Sequence, residues 1–405
     1  MRKLVILAVA AAFAAVLTAA TLGRPQSLKS RTVLVEAVNR PCVAAPVEVV
    51  LTPPRPGAFV TVRTGKTVVP AQVRPQGNSL VVTWIVHDLA KGAKRTYEVQ
   101  FSEKARSVGV PRVRVSRTAA NADIMIGDEL FARYDTVTGP NKPFFFPVFA
   151  PGHKQVVRGL PSAPRPGETT DHPHHQGLWF THGSVNGEDY WALTQSRTVH
   201  AAYRNVTGGP VYGGFTAITN WINKAGARVA EDTRDFLVYE MAGARVMDVS
   251  IAVRPVGGPL VFGDTKEGTF GIRLPDSMRL RGGDGHIVNS EGVTDGATWG
   301  KRASWVDYVG SVDGATVGVA ILDHPTSFRH PTHWHVRDYG LFCANPFGIH
   351  DFEQGKPAGT GDHTVQPGGA LKLRYRLIFH AGDTNQARIA ERWGDYADPP
   401  RVTLR

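Results

Sequence analysis

Apolar positions in this chain recur at every second residue far more often than at helical spacing. Between residues 31 and 105 the short runs VEVVL, FVTV, LVVTWIV and TYEVQF are rich in β-branched and aromatic residues. Turn-forming stretches such as Pro53-Pro54-Arg55-Pro56-Gly57 and Gln76-Gly77-Asn78 separate them. This pattern predicts a small β-sandwich over 31–105. The stretch Ser102 to Pro111 has little apolar periodicity and marks the boundary. Over 111–405 the alternation resumes in VRVSR, ADIMIGDELFARYDT, VMDVSIAVRP, ATVGVAILD and LKLRYRLIFHAG, which read as half-buried strands. Helical spacing emerges only from Thr384 to Tyr396, where Ala387, Ala390, Trp393 and Tyr396 recur behind Asp383 or Thr384 as a cap. The expected fold is all-β: a small N-terminal β-sandwich, then a large antiparallel β-supersandwich with one C-terminal helix.

Composition changes this picture little. The chain has 405 residues, 42% of them hydrophobic, which is enough for a large core and excludes disorder as the default. Residues 1–24, with a basic start, an apolar run from Leu4 to Leu17 and small residues after it, read as a signal peptide cleaved near Thr21. The expected location is therefore secreted or periplasmic. An uncleaved anchor is the alternative, because the apolar run reads on to Leu22; no other segment has the length to span a bilayer. Cys42 and Cys343 are too few for a disulfide framework or a four-cysteine zinc site, and their pairing depends on spatial proximity. The net charge of +11 is spread along the chain, so it reads as solvated surface and no nucleic-acid partner is expected.

Candidate chemistry concentrates in 171–191, DHPHHQGLWFTHGSVNGEDYW, which holds His172, His174, His175 and His182 beside Trp179 and Trp191. An unpaired buried polar group costs about 1 to 3 kcal/mol, so a fold gathers such a cluster only with partners or a ligand. Pro173 and Gly177 argue that the segment is irregular. A second cluster, HPTHWHVRDYG from His330 to Gly340, places His333, His335 and Arg337 on one face if it is extended, with Asn345 following. Lys266 and Glu267 precede another strand-like run and, on a strand, would face opposite sides. The segment from Trp299 to Tyr308 interleaves aromatics with Lys301 and Arg302, a surface suited to stacking on a sugar and clamping an anion.

Two uses of these residues compete. Neutral imidazoles near pH 7 serve as acids, bases and hydrogen-bonding groups toward a polyhydroxylated ligand. Alternatively His172, His174, His333 and His335 ligate a divalent metal in an oxidoreductase-type centre, although their spacing fits no established metal signature.

The segments DHPHHQGLWFTHGSVNGEDYW, DTKEGTFGIRL, WGKRASWVDYVG and HPTHWHVRDYGLFCANPFG resemble those of a bacterial domain-of-unknown-function family labelled methane oxygenase PmoA (PmoA-like), over roughly Val113 to His380. Particulate methane monooxygenase subunits cross the membrane several times; this chain has one apolar run, so methane oxidation is not carried over. The run from Gly139 to Val148 ahead of the histidines is similar in layout to sugar mutarotases. That similarity implies an open cleft on a supersandwich in which histidines and a glutamate act on a sugar, with Glu267 and Glu353 as the candidates for the glutamate.

The expectation is a carbohydrate-active enzyme with glycoside hydrolase or epimerase-type chemistry, needing no cofactor. His174, His175, His335 and Glu267 are its catalytic candidates. His172, Trp179, His182, Lys266, Arg302, His333, Trp334, Arg337 and Asn345 are its substrate-binding candidates, and the partner is a carbohydrate or polyol. A His-ligated metalloenzyme and a non-catalytic carbohydrate-binding protein are the alternatives.

Overall fold

The computed structural model describes residues 28–54, 58–102, 112–241 and 243–405. The signal-peptide segment and most of the Ser102 to Pro111 boundary lie outside them, and no helix among the described residues is long and apolar enough to cross a membrane. The architecture is all-β, as the alternation implies. Strands Leu28–Glu36, Phe59–Thr64, Thr67–Val69 and Lys94–Ser102 form one sheet of the small sandwich, and Cys42–Leu51, Ala71–Gln76 and Ser79–Leu89 form the other. Val35, Val47, Val62, Val82, Trp84 and Tyr97 pack between them.

The chain's last strand, Arg401–Leu404, departs from the expected boundary. It pairs antiparallel with Leu28–Glu36 in the small sandwich, so the first sheet is completed by the chain's opposite end. The large unit is built from a nine-stranded and an eight-stranded antiparallel sheet, whose facing residues form one continuous core. The helix is shorter than its apolar spacing predicts, at Ile389–Ala397. Asp383 accepts hydrogen bonds from the amides of Asn385 and Gln386, and Arg388 then takes a left-handed conformation at φ 56°, so regular helix begins only after it. Asp395 in this helix accepts from the amides of Val43 and Ala44, both at 2.8 Å, tying the small sandwich to the large unit. A short helix at Ile349–Phe352 and single turns at Asp276–Met278 and Asp295–Thr298 carry no periodicity that sequence reading could detect.

Part of the nine-stranded sheet positions the site. Strands His333–Val336, Leu341–Asn345, Gly268–Arg273 and Leu178–His182 lie side by side and are buried along their whole length. Such strands are covered on both faces. One face meets the main core, and the loop carrying the first histidine-rich segment covers the other.

Candidate active site

Strand register sorts the side chains. Trp179 is opposite Gly271, Gly271 opposite Cys343, and Cys343 opposite His335. With a period of two, Trp179, Arg273, Cys343, His335 and His333 share the outer face, while Phe180, Ile272, Phe342 and Trp334 share the inner one. Glycine is required in the row: a β-carbon on Gly271 would stand 2.4 Å from Cys343 Sγ. The thiol therefore packs across the strand, and Cys343 joins Trp179, Trp191 and Phe144 in the apolar floor. Cys42 lies in the small sandwich core, and both cysteines are free.

The first histidine segment runs over this floor as a loop. Gly177 ends it at φ 56°, where a β-carbon would lie 2.0 Å from Phe145 O, so only glycine passes. Asp171 anchors the loop. Its carboxylate accepts from the guanidiniums of Arg158 and Arg273, whose side chains are 1% and 0% exposed, and from His172 Nδ1 at 2.9 Å. Burial raises the Asp171 pKa, but Arg273, His172 and Arg158 outweigh it and bring it down to about 2.

Arg273 also donates to His175 Nδ1 at 3.3 Å. That bond makes His175 Nδ1 the acceptor and leaves the proton on Nε2, which is buried without a partner. Burial, His174 and Arg273 push the His175 pKa far down, so its imidazole is neutral. His174 is half-buried and makes no side-chain hydrogen bond to any described residue. Burial, Lys142 and His172 lower its pKa to about 4. Beneath it Lys142 is held by Asn141 Oδ1 and Trp191 O, both at 3.1 Å, and burial lowers its pKa to about 7.

The second histidine segment reaches the same place. His172 stacks on Tyr339 at 4.9 Å between ring centroids, and the Arg337 guanidinium lies 5.7 Å from the rings of both Tyr339 and Trp299. His335 donates its Nδ1 proton to Lys266 O at 2.6 Å, which fixes the tautomer and leaves Nε2 as the lone-pair nitrogen. Its pKa is lowered, chiefly by burial. The Glu267 charge acts on both His174 and His335, so the two histidine-rich segments share one electrostatic environment. Lys266 and Glu267 are not on opposite sides, as a strand would place them. The chain bends there, and Lys266 Nζ sits 3.3 Å from Glu267 Oε1.

A model described as a family of unknown function (DUF6807) matches residues 121–394. The chain belongs to this family. The DUF6807 match takes in both histidine segments, Glu267 and Trp299, and its description names no oxygenase. No curated protein matches the chain. Among solved structures it is similar to a glycosyl hydrolase family 38 protein from Enterococcus faecalis, at 10% identity and TM-score 0.39, covering 93% of this chain and 47% of that one. It is also similar to an α-mannosidase from Enterococcus faecalis V583, at 10% identity and TM-score 0.41, over 93% of this chain and 46% of that one. A third similarity is to a family 36 α-galactosidase from Geobacillus stearothermophilus, at 13% identity and TM-score 0.35, over 67% of this chain and 40% of that one. The chain spans less than half the length of these structures.

Several expected site residues of this DUF6807 protein lie elsewhere. Trp334 faces the core, fully buried, with its indole N–H donating to Ala303 O at 2.9 Å, so it cannot stack on a ligand. His182 is on the inner face as well, held at Gly263 O at 2.7 Å between Phe262 and Phe347. Trp179 is on the site face but lies beneath His175 at 2% exposure, forming floor and not an open platform. Arg302 is spent on the carbonyls of Pro331 and Arg329. Asn345 is a positioning residue, donating to Thr265 O and Lys266 O at 2.9 and 3.0 Å and so holding the bend that presents Lys266 and Glu267. His333 pairs through Nε2 with Glu353 at 2.9 Å.

The four histidines of the metal reading are not gathered around one point. No group of three or more His, Cys, Asp or Glu side chains among the described residues is placed to hold an ion. A concavity of about 780 Å³ elsewhere is lined by Glu48, Gln72, Arg74 and Asp235 among others, but Gln72 and Asp235 are committed to structural hydrogen bonds. Sequence reasoning missed Arg158, Arg273, Lys142 and Tyr339. Tyr339, Arg273 and Lys142 stand inside stretches singled out above, whereas Arg158 lies outside them all.

Proposed function

We propose that this protein is a carbohydrate-active enzyme that transfers a proton on a sugar or polyol lying over Tyr339, Arg337 and Trp299. A neutral imidazole, His335 or His174, takes the proton as base and returns it as imidazolium, a form that the Glu267 charge supports. The observation that carries this reading is the state of the two imidazoles. His335 has its Nδ1 proton committed to Lys266 O, and His174 is uncommitted, so each offers a nitrogen at neutral pH. Hydrolysis by two carboxylates is less well served. Asp171 is engaged by two arginines and Glu353 by His333, which leaves Glu267 as the cleft carboxylate with only an exposed lysine beside it. Epimerase-type chemistry is therefore favoured over glycosidic cleavage.

The test is ¹H NMR of a panel of mono- and oligosaccharides incubated with the untagged protein in D₂O. Exchange for deuterium is expected at the C–H next to the sugar's open-chain carbonyl or carboxyl group, which takes up the electron pair as an enediolate, and His335→Ala or His174→Ala should slow it about 10²- to 10⁴-fold without unfolding the protein. New reducing ends without exchange would replace proton transfer by hydrolysis. Sugar binding without turnover, insensitive to His335→Ala, would leave a binding protein.

A further inference from the structure

Most cations around the cleft have an acidic partner, and Lys142 is held by neutral oxygens instead. Arg158 and Arg273 meet Asp171, Lys266 meets Glu267, Arg279 meets Asp276, and Arg281 meets Asp338. Arg337 is half-buried, yet its guanidinium makes no hydrogen bond or ion pair with any described residue. It is nevertheless well placed. Its own amide donates to Leu341 O at 2.7 Å and its carbonyl accepts from Gly340 N at 3.1 Å, while Trp299 and Tyr339 flank the guanidinium at equal centroid distances of 5.7 Å. Rings on two sides restrict the guanidinium plane and strip part of its hydration, without supplying the counter-charge that a half-buried cation calls for.

We propose that Arg337 is the receptor for a substrate carboxylate, and that the cleft takes acidic sugars of the uronate class. This rests on the carbohydrate reading above and names its substrate class. A planar guanidinium fork matches a planar carboxylate through two parallel N–H···O bonds. A dianionic phosphate fits less well, because the nearby cations that would balance its second charge are already paired: Lys266 with Glu267, and Arg273, 4.9 Å from the Tyr339 ring, with Asp171. The ring of a uronate then lies beside its carboxylate, over the same aromatic surface and toward His335 and His174.

The experiment is calorimetric titration of the full-length protein with glucuronate and galacturonate, with glucose and galactose as neutral counterparts, and with glucose 6-phosphate. Each is repeated on Arg337→Gln and Arg337→Lys. The expected result is that uronates bind more tightly than their neutral counterparts. Arg337→Gln should weaken uronates about 10- to 100-fold, the loss of one charge-assisted hydrogen-bonded pair, and neutral sugars by a smaller factor, so that the preference for uronates disappears. Arg337→Lys should retain part of the preference. Because the side chain has no protein hydrogen-bond partner, both variants should melt within a degree or two of the parent.

Tighter binding of the sugar phosphate would overturn the proposal in favour of a phosphate ligand. Equal binding of neutral and acidic sugars, unchanged by Arg337→Gln, would overturn it while leaving the carbohydrate reading intact. Binding of none of these compounds would remove both.

Discussion

Asp171→Asn is the most informative change that needs no substrate. The carboxylate is the shared counter-charge of two buried guanidiniums, and neither makes an ion pair with another acid: Arg158 otherwise donates only to His172 O at 3.3 Å, and Arg273 only to His175 Nδ1. Arginine cannot shed its charge, so an amide at 171 leaves two buried cations facing a neutral group. Severing a buried pair costs about 3 to 5 kcal/mol. Asp171 is itself 39% exposed, so water softens the loss and the lower end, about 3 kcal/mol, applies. With a urea slope of about 3 kcal/mol/M, the unfolding midpoint falls by about 1 M. Equilibrium urea unfolding followed by tryptophan fluorescence reads this directly. Adding Arg158→Met to the variant removes one stranded cation and should recover part of the loss. A single variant with the parental midpoint, within about 0.2 M, would refute the claim that Asp171 anchors the histidine loop by charge.

Other outcomes follow from the same geometry. The folded Asp171 pKa is depressed from 3.8 to about 2, so its stabilisation is complete above the first value and lost as pH falls toward the second; acid titration of the parent should show this loss, and Asp171→Asn should not. Trp334→Phe should cost about 1 to 3 kcal/mol, because Ala303 O loses its indole donor, yet leave sugar binding unchanged. Trp299→Ala should do the reverse, and weakened binding in the Trp334 variant at a normal melting temperature would show that the core placement is wrong. Burial lowers the His380 pKa, but its contact with Asp307 at 3.1 Å prevails and raises it above 6.5. Its contribution is therefore present below pH 6.5 and lost as pH rises through the folded value. Melting temperatures from pH 6 to 9 should fall in the parent and flatten in His380→Gln; parallel curves would exclude His380 as the source.

Local chemistry determined much of this protein. Period-two alternation specifies strands because side chains of an extended chain alternate in direction, and it gave the all-β class. Four histidines beside tryptophans in 171–191, with His335 and Arg337 in a later segment, drew attention to the candidate site because such groups are too costly to bury without partners. What the alternation could not settle is which face is which. Trp334 and His335 are adjacent residues with opposite fates, and only the pairing of His335 with Cys343, itself paired with Gly271, puts the imidazole outward and the indole in the core. The bend at Lys266 and Glu267 escaped for a similar reason: the Asn345 side chain that holds it arrives from a distant strand. Asp171 draws Arg273 from 102 residues away, and the last strand completes the first sheet. Those contacts depend on how the strands are laid side by side, and no window of sequence contains them.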